Sequence, residues 1–335
     1  MVKKSRLEYL NFARAGLTLL VVLYHSSGYL LNGSGSNLFS HIASSALGMV
    51  AVAAFFTLSG LAIKYNNSDL DIRSFYKKRF LSIFPSFWFV WGIAYLIKVI
   101  KCQSFFYNGR KLSILLSFCG LDGYLGGAYY QAGEWFLGAV ILLYMLYPLL
   151  LWLFKYAKTV SCWVLAIVYY FVISRDCFGV SGFRNILTCL LSFWIGMLLA
   201  DIIEKISDNW LLCVVLISTM WHIATANSPF TAYTGCVVWG ASLLVVLCIA
   251  GRAIQMSAIH GAFSFLSGIS FQIFLVHHII LGKMADLMGA WLELWWQKWL
   301  YEIVSFVAII VCAYTLWWVA GIIKKRLSKE AGSRE

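Results

Sequence analysis

Charged side chains are scarce in this chain, and their scarcity excludes a soluble globular protein. Asp, Glu, Lys and Arg make up 12% of its 335 residues and hydrophobic residues make up 61%, whereas soluble domains average about 25% and about 45–50%. Proline is nearly absent, with three residues, while Trp, Tyr and Phe number 15, 18 and 24. A proline-poor, aromatic-rich chain is neither disordered nor of low complexity. The composition therefore predicts an integral membrane protein.

The sequence also lacks a CxxC pair, a cysteine-containing ligand cluster and an internal repeat. Most of the nine cysteines lie inside apolar runs, where cysteine behaves as a small hydrophobic residue. Cys102 and Cys119 share an extramembrane loop, so a disulfide between them is one alternative and two free thiols are the other. The missing repeat gives no support to the inverted-repeat architecture of many transporters.

Long apolar runs are present instead. A membrane-spanning helix needs about 20 apolar residues, or somewhat fewer where flanking side chains reach the interface. The sequence predicts an all-α, polytopic bundle of about ten transmembrane helices, folded as one membrane-embedded domain over residues 1–335. The predicted spans are 10–31, 39–63, 80–100, 135–154, 160–177, 183–203, 210–226, 231–250, 262–283 and 300–323. The first is interpreted as a retained helix, because no small-residue cleavage site follows it.

The basic residues are distributed unevenly between the two sides of the predicted bundle. With the N-terminus in the cytoplasm, 17 of the 26 Lys and Arg residues lie on the cytoplasmic side and 8 on the outer side. This bias favours that orientation, and an even number of spans places both termini in the cytoplasm. The net charge of +12 is therefore attributed to topology, and no nucleic-acid partner is expected.

Arg14 and His25 both fall within the first predicted span. Ionisable residues inside the hydrocarbon cost a few kcal/mol, so each is a functional candidate. Their separation of 11 residues turns a helix through three turns and about 20°, so both side chains project from one face, about 16 Å apart along the axis. One helix face thus carries a cation near the cytoplasm and a proton acceptor near the outer side.

His25 has the chemistry of a general base, because an uncharged imidazole accepts a proton near neutral pH. Arg14 stays protonated and binds an anion, a phosphate or a polarised carbonyl. The structural alternative is that Arg14 reaches the inner headgroups while His25 hydrogen-bonds a neighbouring helix.

Two segments near the predicted cytoplasmic face are candidates for binding a donor substrate. Ser59 and Gly60 would let a ligand approach closely, although a helix-packing patch is the alternative. Lys77, Lys78 and Arg79 are three successive cations that suit a polyphosphate such as coenzyme A or a nucleotide. Positive-inside topology alone also explains such a cluster.

Polar and aromatic residues near the predicted outer face are candidates for binding an acceptor. Glu134 and Trp135 lie where the outer loop re-enters the membrane, as a rim anchor or as a platform for a sugar. His277 and His278 are adjacent in the ninth span. Adjacent residues of a helix point about 100° apart, so these two are not expected to share one ligand geometry. No HxxxH or HExxH motif accompanies them, and no metal site is predicted.

Taken in order, these segments resemble the acyltransferase-3 family of polytopic membrane acyltransferases. The resemblance covers residues 6–278, and five matches in family order carry it: Arg14 with His25, Phe55 to Gly60, Phe75 with Arg79 and Pro85, Trp135 with Tyr144 and Pro148, and Ser270 with His277.

The resemblance implies transfer of an acetyl or other acyl group from cytoplasmic acyl-CoA to a hydroxyl. Acceptors in such families are usually cell-envelope glycans, which implies the bacterial cytoplasmic membrane. Acyl-CoA, the glycan or its lipid-linked form, and membrane lipids are the expected partners. Acetyl-CoA enters as a co-substrate, and no permanently bound cofactor is expected. His25 carries over as the catalytic histidine, Arg14 as its partner and Arg79 as a contact to the donor phosphates.

Two departures from the family pattern affect these implications. Ser82 stands where many relatives have a second arginine, which shifts donor contacts toward Lys77 and Lys78. Val140 and Ile141 stand where many larger relatives carry a glutamate. The chain therefore resembles the short, stand-alone branch, and no appended domain is expected.

Three hypotheses remain from the sequence. In the first, an O-acyltransferase, His25 acts as a general base or as a transient acyl carrier. The second is a transporter or flippase of an envelope precursor, with Arg14, Asp201 and Glu302 as its buried ionisable residues. The third, a lipid-sugar glycosyltransferase, would require acidic residues in the first outer loop, and residues 32–38 contain none.

Overall fold

The structure, a computed structural model, describes residues 2–30, 38–67, 70–107, 111–125, 133–173, 182–225, 229–254 and 257–332. Every regular element in these ranges is helical. The elements are α1 (Val2–Tyr29), α2 (Leu38–Ser44), α3 (Leu47–Asn66), α4 (Ile72–Cys102), α5 (Lys111–Phe118), α6 (Asp122–Leu125), α7 (Glu134–Tyr156), α8 (Lys158–Ile173), α9 (Ile186–Ile202), α10 (Asp208–Ala224), α11 (Pro229–Ala253), α12 (Ser257–Gly268), α13 (Ser270–Met288) and α14 (Trp295–Gly332), with 3-10 turns at Gly182–Arg184 and Gly289–Trp291.

Six helices in the described part of the chain are long and apolar enough to cross a membrane. They are Leu47–Asn66, Ile72–Cys102, Trp135–Tyr156, Thr234–Ala253, Ser270–Met288 and Trp295–Arg326, and the shorter apolar helices are Lys158–Phe171, Ile186–Ile202 and Asp208–Ala224. The predicted all-helical membrane architecture is confirmed to this extent. The count of about ten spans and the cytoplasmic location of both termini stay predictions.

Two of the predicted spans are each divided into two helices. The span predicted over 39–63 breaks between α2 and α3, where the Ser45 hydroxyl accepts a hydrogen bond from the amide of Leu47 at 3.2 Å. The span predicted over 262–283 breaks at Ile269, between α12 and α13. Both predictions of a continuous helix are wrong, because side-chain apolarity reports membrane burial and not the backbone torsions at one or two residues.

The chain divides into two compact units. The first comprises Met1–Val21, Ser44–Leu70 and Leu143–Ser267, and the second comprises Val22–Ala43, Asp71–Leu142 and Gly268–Glu335. Helices α1 and α7 each contribute residues to both. The single domain predicted over residues 1–335 stays a prediction.

Close contact between α3 and α9 organises the first unit. A Cβ added to Gly60 of α3 would overlap the carbonyl oxygen of Phe193, and one added to Gly196 of α9 would overlap the carbonyl oxygen of Thr57. Small residues allow membrane helices to approach until their backbones touch, where van der Waals contact holds them together. Gly60 is therefore a packing residue, which is one of the two alternatives left open by the sequence.

Charged residues of the first unit pair with one another. Asp201, near the end of α9, accepts hydrogen bonds from Lys64 and, at 2.8 Å, from Lys158. The two ammonium nitrogens lie 4.4 and 4.5 Å from the centroid of the Phe154 ring. A cation over an aromatic face gains further electrostatic stabilisation. The carboxylate of Asp201 is therefore compensated by two lysines.

The second unit packs α13 against α14 and α4. The buried Tyr301 hydroxyl of α14 donates to the carbonyl oxygen of Leu281 at 3.0 Å. The Trp88 indole N–H of α4 donates to the carbonyl oxygen of Phe118 at 2.9 Å. Such bonds satisfy polar groups that would be costly to leave unpaired in apolar surroundings.

Replacing Gly60 by alanine is expected to lower the free energy of unfolding by about 1–3 kcal/mol, because the added methyl group forces α3 away from α9. Unfolding in mixed detergent micelles measures the change. Gly92→Ala is the matched control, because a Cβ there meets no atom within 4 Å and alanine is favoured over glycine in a helix by up to about 1 kcal/mol. Equal stability of the two variants would contradict the close contact.

Cys102 and Cys119 are expected to react with a membrane-impermeant maleimide added to intact cells, because both thiols are free and exposed and the charge bias places their loop outside. Variants that retain a single cysteine identify each reaction. The buried thiols of Cys189 and Cys248 are expected to react only after denaturation. Labelling of Cys102 and Cys119 only after permeabilisation would reverse the predicted orientation.

Candidate active site

Three histidines meet in the second unit. His25 comes from the last turns of α1, and His277 and His278 come from the middle of α13. The His25 ring centroid lies 5.3 Å from that of His277 and 4.1 Å from that of His278, and the latter two are 4.4 Å apart. We call these residues the histidine cluster.

The histidine cluster corrects one prediction from the sequence. One ring nitrogen from each histidine lies within 4.8 Å of the other two, so His277 and His278 do converge on one place. Their Cβ atoms diverge by about 100° around the helix. Rotation about χ1 and χ2 nevertheless swings the rings toward each other. Spacing along one helix was therefore not a sufficient reason to separate them.

Hydrogen bonding fixes the proton of His277. Its Nδ1 lies 2.8 Å from the carbonyl oxygen of Phe274 and 3.2 Å from that of Ile273. A carbonyl oxygen only accepts, so Nδ1 carries the hydrogen and Nε2 of a neutral ring is an acceptor. The residue is buried, with 1% of its surface exposed. Nε2 nevertheless has no hydrogen-bond partner among the described residues. In a neutral His277, Nε2 is therefore a buried hydrogen-bond acceptor.

The histidine cluster has two chemical uses. Imidazole nitrogens can share and move a proton. They can also bind a transition metal, and tetrahedral zinc would hold its ligand nitrogens about 3.3 Å apart, inside the 4.8 Å limit observed here. The geometry of the three rings permits either use. The sequence predicted proton transfer by His25, but it did not predict that the three histidines meet or that they could bind a metal.

A row of aromatic rings connects the histidine cluster with the start of α7. Successive ring centroids are 6.1 Å apart from Trp135 to Phe136, 5.0 Å from Phe136 to Phe274 and 6.1 Å from Phe274 to His277. Two residues predicted to bind an acceptor, Trp135 and His277, therefore lie at the two ends of this aromatic row. The side chain of Glu134 lies outside the described residues.

Gly133 packs against one ring of the aromatic row. Its φ is +54°, a left-handed conformation that favours glycine. A Cβ at this position would lie 2.6 Å from Cζ of Phe274. The glycine therefore both turns the chain into α7 and leaves space for the Phe274 ring.

A buried polar pair of α4 and α13 was not predicted. The Gln272 side-chain amide donates to the Ser86 hydroxyl at 3.0 Å, and both residues are buried. Oε1 of Gln272 has no hydrogen-bond partner among the described residues. A glutamine inside the ninth apolar run was the available signal, and it lies five residues before His277 on the same helix.

The three candidate donor-binding cations lie in the first turns of α4, where the Asp71 side chain caps the helix. Lys77 and Lys78 are exposed, whereas Arg79 is half-buried. The Arg79 guanidinium carbon lies 5.5 Å from the centroid of the Phe75 ring. The structure thus distinguishes one anchored arginine from two solvent-facing lysines.

Arg14 and His25 lie on one continuous helix, as predicted, because α1 runs from Val2 to Tyr29. Arg14 is half-buried and belongs to the first unit, as does Ser59, which is also half-buried. Their predicted roles toward the substrate stay predictions.

Asp201 and Glu302, the other two ionisable residues considered for a transporter, are half-buried and differ in their surroundings. Asp201 is held by Lys64 and Lys158 in the first unit, so it is not an uncompensated charge of the kind that a transporter uses to bind an ion. Glu302 of α14 lies against the Ser26 hydroxyl in the second unit. Its Oε1 atom has no hydrogen-bond partner in the described part of the chain.

Comparison with known proteins yields a family match. A family model described as an acyltransferase domain matches residues 7–318, which include the histidine cluster, the aromatic row and the three cations of α4. Neither a curated protein nor a solved structure matches the chain.

Proposed function

The chain belongs to the acyltransferase-3 family, and from this membership we propose that it moves an acetyl or other short acyl group from cytoplasmic acyl-CoA to a hydroxyl of a cell-surface polysaccharide or its lipid-linked precursor. Acyltransferase activity in a membrane follows from a match to residues 7–318 and from the six long apolar helices. The donor, the acceptor and the bacterial cytoplasmic membrane are the proposed part. The observation that carries the proposal is the position of His25 in the histidine cluster, with its ring centroid 5.3 Å from that of the buried His277.

His25 is the proposed general base. Its ring nitrogen takes the proton from the acceptor hydroxyl while the hydroxyl oxygen attacks the thioester carbonyl carbon. The carbon–sulfur bond then breaks, and the proton passes from His25 to the coenzyme A thiolate. In the alternative route, His25 attacks the thioester first and carries the acyl group as an acyl-imidazole until the hydroxyl accepts it. Both routes give the same products, an ester and free coenzyme A.

Arg14 is the proposed electrostatic partner of His25. A guanidinium stays charged and presents a planar fork of donors, which suits a polarised carbonyl or a phosphate. Arg14 and His25 are about 16 Å apart along the axis of α1. This separation along the helix makes the acyl-imidazole route attractive.

The amino-terminal turns of α4 are the proposed donor-phosphate site. Arg79 is held over Phe75, so less conformational freedom is lost when it binds a phosphate. Lys77 and Lys78 are exposed and supply charge without a fixed geometry. This division fits a diphosphate that is oriented by the arginine and attracted by the lysines.

The proposed acceptor site lies along the aromatic row. Trp135 is half-buried and has both an apolar ring face and an N–H donor. Such an amphipathic ring suits the alternating apolar and hydroxyl surfaces of a sugar. The sugar would then extend from Trp135 toward the histidine cluster, where the reacting hydroxyl meets His25.

Replacing His25 by alanine is expected to lower acyl transfer by about 10²–10⁴-fold if it is a general base, and to abolish transfer if it is an acyl carrier. Membranes that contain each variant are supplied with labelled acetyl-CoA and extracted envelope polysaccharide, and label in the polysaccharide is measured. Arg14→Lys is expected to retain part of the activity, because it keeps the charge but not the fork.

His260→Gln is the matched control for His25→Ala. His260 contacts the carbonyl oxygen of Ile254 in the first unit, and near-normal transfer is expected. Two results together would contradict the proposed function. The unmodified protein would transfer no acyl group, and cells that lack the protein would make envelope polysaccharide of unchanged mass. Normal transfer by His25→Ala would contradict both routes.

Replacing Arg79 by glutamine is expected to raise the apparent KM for acyl-CoA by about 10- to 150-fold, the effect of losing one charge-assisted phosphate contact. Initial rates at varied acetyl-CoA measure the change, and the apparent KM for polysaccharide is expected to stay constant. Lys283→Gln is the control, because Lys283 is exposed and pairs with Asp286. An unchanged acyl-CoA KM would assign Arg79 to topology alone.

A further inference from the structure

Resting on the proposed function, we infer that His277 is the positioning residue of His25. In the loaded enzyme, Nε2 of His277 accepts a hydrogen bond from one ring nitrogen of His25. The other ring nitrogen of His25 then has a lone pair and faces the acceptor hydroxyl. His277 would not contact the reacting atoms, and it would act only through His25.

The backbone of α13 prepares His277 for this role. The carbonyl oxygen of Phe274 holds the hydrogen on Nδ1 at 2.8 Å. The tautomer is therefore set without a partner from another helix, and Nε2 remains an acceptor. A buried acceptor with no donor costs free energy, and Nε2 is in that state among the described residues. Nε2 of His277 is therefore a buried acceptor of fixed direction that can take a hydrogen bond from a donor.

Within the histidine cluster, His25 is the donor that we assign to Nε2 of His277. One nitrogen of each ring in the histidine cluster lies within 4.8 Å of the others, so a ring rotation of modest size completes the bond. Catalytic hydrogen bonds are often long before substrate binds and tighten afterwards. His278 is also near His277. His25 differs from it because its imidazole becomes an imidazolium during transfer, and a charged donor makes the stronger hydrogen bond.

A neutral acceptor suits this place in the protein. The carboxylate that commonly orients a catalytic histidine would place a negative charge inside the hydrocarbon, where charges are costly. The imidazole of His277 offers a lone pair without a charge. During transfer the hydroxyl proton moves to the outward nitrogen of His25 as the ester bond forms. The other N–H of the imidazolium stays bonded to His277, and the outward proton leaves with the thiolate.

His277→Ala is expected to lower kcat by about 10- to 150-fold, the loss of one hydrogen bond to a charged group, without a change in the apparent KM for acetyl-CoA. His277→Gln is expected to recover kcat to within about tenfold of the unmodified protein, because its amide oxygen can accept from His25. His278→Gln is the comparison within the histidine cluster, and a smaller loss than that of His277→Ala is expected. A glutamine variant as inactive as the alanine variant, or an unchanged kcat in both, would overturn the inference.

The imidazole ¹⁵N spectrum of labelled protein tests the same bond without catalysis. In the presence of coenzyme A, His25 is expected to show one tautomer, and His277→Ala is expected to give a mixture of both. Single histidine variants assign the signals. If His277→Ala does not fold, the same comparison is made with His277→Gln, in which one tautomer of His25 is expected. A mixture of both tautomers in the unmodified protein, or the same single tautomer in His277→Ala, overturns the inference.

The outcomes separate this inference from the proposed function. An unchanged His25 tautomer in His277→Ala, with transfer still lost in His25→Ala, overturns the positioning role alone. A changed tautomer in a protein that transfers no acyl group supports the positioning role and overturns the function. One equivalent of transition metal in the purified protein, lost in His277→Ala, also overturns the inference, because Nε2 would then bind the metal.

Discussion

A polar group inside hydrocarbon must find its partner within the protein, and this constraint governs every feature described above. Several hydroxyls inside the first unit donate to a carbonyl oxygen of their own helix, as when Thr57 donates to that of Ala53 at 2.9 Å. His277 does the same through the carbonyl oxygen of Phe274. Other buried groups bond to a neighbouring helix, as Gln272 does to Ser86. A few buried atoms have no hydrogen-bond partner among the described residues, among them Nε2 of His277, and such atoms are candidates for a functional bond.

The two units satisfy the constraint differently. The first unit neutralises charge with opposite charge, as Asp201 does between two lysines, and it packs glycine against backbone. The second unit also holds an ion pair, Lys283 with Asp286, but it brings together three imidazoles, each of which can hold a proton on either ring nitrogen. A compensated carboxylate stabilises a structure, whereas an uncharged imidazole can gain a proton and lose it again. The proposed general base therefore lies in the second unit, whereas Arg14 and Ser59 lie in the first.

The sequence predicts features within one helix better than contacts between residues that are distant in the chain. Apolar run length was enough to predict an all-helical membrane protein, but it missed the helix breaks inside two predicted spans. An 11-residue spacing was enough to place Arg14 and His25 on one helix. The break between α2 and α3 was missed because it depends on the backbone at two residues, where the Ser45 hydroxyl accepts from the first amide of α3, and average hydropathy does not report such local geometry. The histidine cluster was missed because it joins the first long helix to α13, and contacts between distant parts of a chain leave no periodic signal.

The aromatic row has a consequence for how substrate range could diverge in evolution. One end of the row is His277 of the histidine cluster, and the other is Trp135, which follows the glycine-rich sequence of residues 120–133. Under the proposed function, substitutions in that loop would change which sugar reaches Trp135 while the inner rings and the chemistry stay the same. Loops tolerate such changes far better than packed helices do. Under that function, one scaffold would accept different sugars without a change in the residues that carry the reaction.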